Sequence, residues 1–467
     1  MQIPILNGMY TNENNDIRID YPVNLSPIVF STTISDGYLR PCDGVSELCA
    51  VSGIDRGGIN WNGVCYRVVG HDLVSVTENG AITKFYGGIL GSDTVIFDYS
   101  FDYLAICADS KLWLFDGSTV TQVTDTDLGN ALDVVFVDGY FMTTDGTSLV
   151  VTELNNPFSV NPLKYGSSEV DPDPITSLIK IKNEVYAINR YTIEVFDNVG
   201  GDFFPFQRID GAVISKGALS PFTCCYFMDM VAFIGSGKNE RISVYLASSG
   251  QSSKISTRDI DFILNQYTES QLANSLIERK TGDNQELLLI HLPDKTLCYD
   301  HTTSKALNTY VWYVLSSAGD GVGAYNIRNH VFCYNKWMVG HPTLPKLGYL
   351  SDNIGSHWGD NVAWSFSTFI LYNESKGAIF NQLELVVLNG RNLLGTNPQI
   401  KTSYSLDGMQ WSVDRYISAG KQGEREKRLI WLQNGTMRQW RVQRFSGTSD
   451  AKMTMIRLEA TIEALTV

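Results

Sequence analysis

Several short stretches of this 467-residue chain carry residue types that could do chemistry. Gly235-Ser-Gly-Lys238-Asn-Glu240 and Gly319-Asp-Gly-Val-Gly323 have the glycine content of phosphate-cradling loops. That chemistry needs full Walker spacing and a following helix whose N-terminus receives the anion. Neither stretch has both, and each falls between strand-like runs, so each reads as a hairpin loop. The six histidines, His71, His291, His301, His330, His341 and His357, show no metal-ligand spacing, and no C-x-x-C pair supports zinc. Asp125 and Asp127 offer carboxylates to a calcium ion, but no distal bidentate glutamate completes the loop, which reads as a solvated rim. No G-x-S-x-G elbow is present. No catalytic residue, cofactor site or metal site is assigned.

Two further stretches combine charge with aromatic residues. Ser405-Leu-Asp407-Gly408-Met-Gln410-Trp411 is similar to the Asp-box turn of sialidases, Ser-x-Asp-x-Gly-x-Thr-Trp. Here Gly408 follows Asp407 directly and Gln410 replaces the threonine, so a β-turn with Trp411 packed beneath it is the better reading. The run "GEREKRLIWLQNGTMRQWRVQRF" (423–445) is the most basic in the chain, interleaved with Trp431, Trp440 and Phe445. Such interleaving suits base stacking on a single strand. It equally suits a β-strand with one buried and one wet face, and this reading is preferred. Arg425, Arg428 and Arg438 are then candidate contacts to an acidic protein partner.

The elements that position these residues are strands. Only 18% of residues are charged, while 40 Gly, 23 Tyr and 21 Phe point to many short strands joined by tight turns. Against 50 Asp+Glu stand 36 Lys+Arg, a formal charge of -14, which argues against a sequence-independent grip on DNA. The N-terminus lacks a basic segment followed by a long apolar run, and no stretch approaches eighteen apolar residues, so neither signal peptide nor membrane helix is expected. Eight scattered cysteines suit buried free thiols in a chain made in a reducing cytoplasm.

Once the strands are marked, one plan recurs: strand, turn, strand, turn, aromatic strand, turn, strand. It begins near Gly63 and repeats from residues near 94, 131, 174, 223, 276 and 323. Seven units at a period of roughly 32–53 residues read as the blades of a β-propeller, with six blades as the alternative count. A strand from before Gly63 is expected to complete the last blade. After "SDNIGSHWGDN" the strands lengthen and alternate cleanly, the pattern of a β-sandwich. The fold expected is therefore all-β, with a propeller over 46–355 and a C-terminal sandwich over 356–467. Residues 1–45 read as an extended N-terminal arm, able to lace onto a neighbour. From Asp360 onward thirteen Lys/Arg face ten Asp/Glu, so the sandwich is near +3 and the remainder near -17. Opposite signs at two ends suit head-to-tail or stacked assembly.

One helix interrupts the strands. Thr268 and Gln271 form a capping-box pattern, and Leu272, Leu276 and Ile277 follow at helical spacing before Gly282. The reading is a single short helical insertion over about 258–280, its apolar stripe packed on its own blade or on a neighbouring subunit. Leu272, Leu276 and Ile277 are accordingly candidate protein-contact residues.

Several of these stretches carry a resemblance. "SDGYLRPCDGV" (35–45), "GVCYRVVGHDLVSV" (63–76), "RYTIEVFDN" (190–198), "ISKGALSP" (214–221), "QYTESQLANSLIERKTGDNQELLLIHLPDKTLCYD" (266–300), "KRLIWLQNGTMRQWRVQRF" (427–445) and "MIRLEATI" (455–462) are similar to the packaged-DNA-stabilisation, or tail-hub, proteins of short-tailed enterobacterial phages. The resemblance implies a structural virion protein rather than an enzyme, without cofactors. It implies a hexamer in the virion tail between the portal's adaptor and the tail needle, beside the tailspikes. It further implies that the ring closes the head after packaging and forms part of the ejection conduit, with DNA passing through unbound and no membrane involved. A propeller enzyme acting on host surface glycans is the alternative of a different class.

Overall fold

The computed structural model describes residues 1–465 apart from Asn7, 13–15, 31–33, Asp202, Asp283, Ser375, Leu393 and Ala451. Short alternating runs separated by left-handed turns can only fold back on themselves, and they do so seven times. The first sheet comprises Asp55–Trp61, Val64–Val69, Asp72–Val76 and Ile82–Tyr86 in spatial order of sequence. The second runs Ile96–Tyr99, Leu104–Ala108, Lys111–Phe115 and Val120–Gln122. The third runs Asp133–Val137, Tyr140–Thr144, Ser148–Glu153 and Asn156–Ser167, and the fourth Ile175–Ile181, Glu184–Asn189, Ile193–Asn198 and Phe206–Arg208. In the fifth, Gly217–Ala218 and Cys224–Phe227 share Met230–Ser236, followed by Ser243–Ser248 and Gln251–Lys254. The sixth is Leu276–Gly282, Gln285–His291, Thr296–Asp300 and Val311–Leu315. The seventh takes Arg328–Cys333, Lys336–Gly340 and Lys346–Ser351, and its fourth strand is Gly44–Ala50 from before the first sheet. This is the closure the sequence predicts, and seven is the blade count.

The chain folds into two compact units, one of 47–280 and 327–349, the other of 1–46, 281–326 and 350–467. In the first unit each apolar cluster lies between successive blades. Trp61, Tyr66 and Val68 of blade 1 meet Leu104, Ile106, Trp113 and Phe115 of blade 2, with Trp61 edge-on to Phe115 at 5.9 Å. Corresponding clusters join blades 2 and 3, 3 and 4, and 4 and 5. Cys65, Val74 and Val76 of blade 1 pack on Val331, Met338 and Leu347 of blade 7. The last sheet thus packs on the first, the circular order of a propeller. A lone four-stranded sheet is marginal in water, and each large apolar side chain covered by a neighbour contributes about 1.5–3 kcal/mol.

Carboxylates on the first strand of a blade staple it to the next. Asp98 accepts from the Phe136 N–H (2.6 Å), and Asp133 from the Ser177 hydroxyl (2.6 Å) and Leu178 N–H (2.8 Å). Between blades 1 and 7, buried Asp55 receives Arg67 at 2.8 Å and the Asn329 amide at 2.8 Å, while Arg67 also donates to the Asn329 carbonyl. Burial opposes both charges; Asp55 more than offsets this for Arg67, whose guanidinium holds its proton more tightly than usual. Gly340 is required beside this pair, because a methyl group there would overlap the Asp55 carboxylate.

The second unit contains the sandwich. One sheet runs Leu25–Val29, Gly37–Pro41, Thr454–Ala464, Ala378–Leu388 and Leu429–Leu432; the other runs Ala363–Ser367, Trp440–Thr448, Gln399–Ser405 and Arg415–Ser418. Leu383, Leu385, Trp431, Leu458, Phe366 and Phe445 fill the core between the sheets. Residues 1–45 are therefore not an extended arm. Gln2–Ile3 pairs with Thr454–Ala464, the strands at 25–29 and 37–41 extend the same sheet, and 44–46 begin the closing strand of blade 7. Their apolar residues, Ile3, Ile5, Leu25 and Leu39, are buried in the sandwich core, which an arm free to lace onto a neighbour would leave in water. Buried Asn24, in the left-handed region at φ 53°, bonds Ser316 of the blade 6 exit and Ala363 of the sandwich (2.8 and 2.7 Å).

The helical insertion is also smaller than expected. Arg258–Leu264 and Glu269–Ala273 are separate short helices, and the chain is extended from Leu276 onward. Leu276 and Ile277 belong to a strand, not to a helical stripe. A third helix, His301–Leu307, capped by Asp300, joins the last two strands of blade 6. No helix among the described residues is long and apolar enough to cross a membrane.

Candidate partner-docking surfaces

The capped insert leads from blade 5 to blade 6. Thr257 caps the first helix, and Thr268 with Gln271 forms a reciprocal capping box on the second, supplying the orphan N–H groups of the first turn. Both helices are anchored to their own unit. The Ser256 hydroxyl donates to Asp261 of the first at 2.6 Å; on the second, Arg190 bonds Glu269 at 2.9 Å and the Ser220 hydroxyl donates to the Ala273 carbonyl at 2.6 Å. Leu272 is 1% exposed, and Leu276 and Ile277 are also buried. These three side chains have little apolar surface left for a partner, so their expected contact role is replaced by a packing role. Phe262, 40% exposed on the first helix, is the large apolar residue the insert turns outward.

The basic run behaves differently. Arg425, Arg428 and Arg438 are all exposed, as a docking role requires. Arg428 holds Glu384 in a bidentate pair (2.7 and 2.6 Å). The aromatic residues between them are not a stacking platform: Trp431 and Phe445 are buried, edge-on at 5.5 Å. Arg441 is fully buried between Phe380 and Tyr404 (4.3 and 3.9 Å) and donates to Gln443 and the Asn434 carbonyl; burial lowers its pKa to about 10. The run is thus a strand alternation with a wet basic face.

The sialidase-like turn is structural as well. Asp407 accepts from Ser405, Met409 N–H and Gln410 N–H, which holds its carboxyl below the usual range. Trp411 is covered by the Arg444 guanidinium at 3.9 Å, and a groove of about 430 Å³ beside it is lined by Tyr10, Asp20, Gly408 and Met409. Asp20 is bonded to Ser367, with burial raising its pKa. In the 235–240 loop, Lys238 pairs with Asp171 (2.5 Å) and Glu240 with Lys216. Asp125 accepts from Asp127 N–H and Val160 N–H (3.0 and 2.9 Å). His330 faces Glu278 at 2.9 Å.

What sequence reasoning missed is a second set of exposed apolar residues. Tyr416 and Leu432 lie on the two edge strands of the sandwich, beside Val413, which is 87% exposed. The available signal was phase: on Arg415–Ser418 the alternation places Ile417 against the core and Tyr416 in water.

Taken together, this architecture defines a seven-bladed β-propeller carrying a C-terminal β-sandwich. Residues 1–355 match the family model for the β-propeller of bacteriophage P22 Gp10, and residues 363–463 match the model for its β-sandwich. The chain belongs to the bacteriophage P22 Gp10 family. Among curated proteins it is 26% identical, over 463 residues and 94% of each chain, to the tail hub protein gp10 of Salmonella phage P22. Solved structures with similarity include the Neurospora crassa Pan2 WD40 domain (TM-score 0.40, 8% identity, 66% of this chain and 95% of that one). The extracellular domain of BT4673 from B. thetaiotaomicron gives a TM-score of 0.42 at 10% identity, covering 71% of this chain and 46% of that one.

Proposed function

We propose that this chain is a structural tail-hub protein of a short-tailed phage. The observation that carries this reading is collinearity: both family models match in order, and the relative named tail hub protein aligns over 94% of both chains. In this reading the chain assembles as a hexamer between the portal's adaptor and the tail needle, beside the tailspikes. It is made in the host cytoplasm and closes the filled head. Its role is mechanical, with no reaction of its own, and DNA passes through the hub without being held. Charge supports the last point, since a net -14 per copy repels phosphates. Mass spectrometry of purified particles is the test. The chain is expected in the tail at hexamer stoichiometry; its absence from particles ends the proposal. Turnover of host polysaccharide by the purified protein would instead favour the glycan-enzyme alternative.

A further inference from the structure

We infer that two surfaces of this chain fit each other between copies: an edge of the sandwich on one, and a hairpin-loop face of the propeller on the next. The inference rests on the hub reading only in that it concerns contacts within an assembly of this chain.

The sandwich surface lies where the edge strands of its two sheets come together. Arg415 on one edge donates to the Leu432 and Gln433 carbonyls on the other (2.6 and 2.8 Å), and the Trp431 indole donates back to the Arg415 carbonyl (3.2 Å). Val413, Tyr416 and Leu432 project into water on this junction, 87%, 63% and 58% exposed. Exposed tyrosine and arginine are the residues enriched in binding hot spots, and the aliphatic side chains beside them add apolar area to bury. Asp414 beside them is neutralised by Lys401 at 2.8 Å, which leaves the Arg415 guanidinium, bonded only to carbonyls and the Asn434 side chain, as the junction's net charge.

The propeller surface follows from topology. In a four-stranded antiparallel sheet the first and third hairpins open on the same edge, so in blades 2 to 4 these loops share one face. They carry Phe101, Leu154, Val199 and Phe203, all exposed. The loops are continuous: Phe158 of blade 3 packs edge-on to Tyr103 of blade 2 at 5.6 Å, and Asn198 of blade 4 bonds Asp138 of blade 3 at 3.1 Å. Exposed Asp102, Asp116, Asp138 and Asp197 rim them, against Lys182 as the cation of the described loops. This face is apolar and acidic; the sandwich junction is apolar and basic. Two different, complementary patches on one chain make a heterologous contact, which generates rings where the rotation closes. A second copy is therefore the occupant.

The test uses two full-length variants, Tyr416→Asp/Leu432→Asp and Phe101→Asp/Phe203→Asp, all at exposed positions, with unchanged thermal unfolding as the folding control. Mass measurement at increasing concentration should show the wild-type chain associating and each variant alone at least about tenfold weaker. An equimolar mixture should form heterodimers and stop there, because each variant retains the opposite half of the contact. A variant that associates like the wild type, a mixture that does not pair, or a wild-type chain that stays monomeric overturns the inference. Particle composition separates this from the hub reading: variants incorporated at wild-type copy number overturn the contact alone, and a wild-type chain missing from particles overturns the hub.

Discussion

Single buried titratable groups set how this fold responds to pH. Burial pushes Asp133 up to about 7, against the hydrogen bonds it accepts from Ser177, Leu178 and Val134. In the unfolded chain it loses its proton near 3.9. Between those values the folded chain holds the extra proton, so this group's contribution to stability falls as pH rises, by up to about 1.4 kcal/mol per pH unit. His357 acts in the opposite sense. Burial lowers it to about 4, so the unfolded chain binds the proton first and stability is lost as pH falls below about 6.5. Over the shared range the two nearly cancel. Asp133→Asn should expose the histidine term: urea titrations are expected to show stability dropping from pH 6.5 to 5, more steeply than in the wild type. An unchanged profile would mean that Asp133 titrates normally. None of this was legible in the sequence, where Asp55, Asp98 and Asp133 are merely aspartates on strands; Asp98 and Asp133 are held from the next blade, and Asp55 by Arg67 of its own blade and by Asn329 at the far end of the propeller segment.

Element boundaries record where local signals compete. Thr268 and Gln271 announced a helix correctly, because a capping box is decided within four residues. Leu276 and Ile277 lay at helical spacing from Leu272, but adjacent apolar residues also suit a strand buried on both faces, and blade 6 needed that strand. The helix at 301–307 was missed because its threonines and serine are weak helix formers, with only Asp300 to mark its start. The packing role of the insert gives a direct prediction. Leu272→Ala should cost about 2–4 kcal/mol, visible as a lowered melting temperature, and Phe262→Ala, at a side chain 40% exposed, should cost less. Calorimetry giving the reverse ranking would return the insert to a partner-contact role. The N-terminal strands were unreadable for another reason. They are short, polar at the surface and interrupted by Pro22 and Pro27, and those at 2–3 and 37–41 reach the sandwich only through a partner at 454–464.

For the molecule as a whole, charge and closure matter more than any site. The seven-unit rhythm was visible because alternation and turn residues repeat locally, whereas the docking faces depend on which loops the topology gathers. With a net -14, and with Arg441 and Arg444 stacked on aromatic rings and Arg415 and Arg428 bonded to carbonyls and a carboxylate, the chain should not retain DNA. Duplex binding at physiological salt is expected to be weaker than about 10⁻⁴ M, with a shallow salt dependence in filter or anisotropy assays. Tight, steeply salt-dependent binding would contradict a passive conduit. The strand at 44–50 has a further consequence. It waits for residues 346–351 of blade 7, and the strands at 2–3 and 37–41 wait for residues 454–464, so neither unit can seal from its N-terminal part alone. A chain cut before residue 346 keeps an open edge on the propeller, a ready substrate for proteolysis.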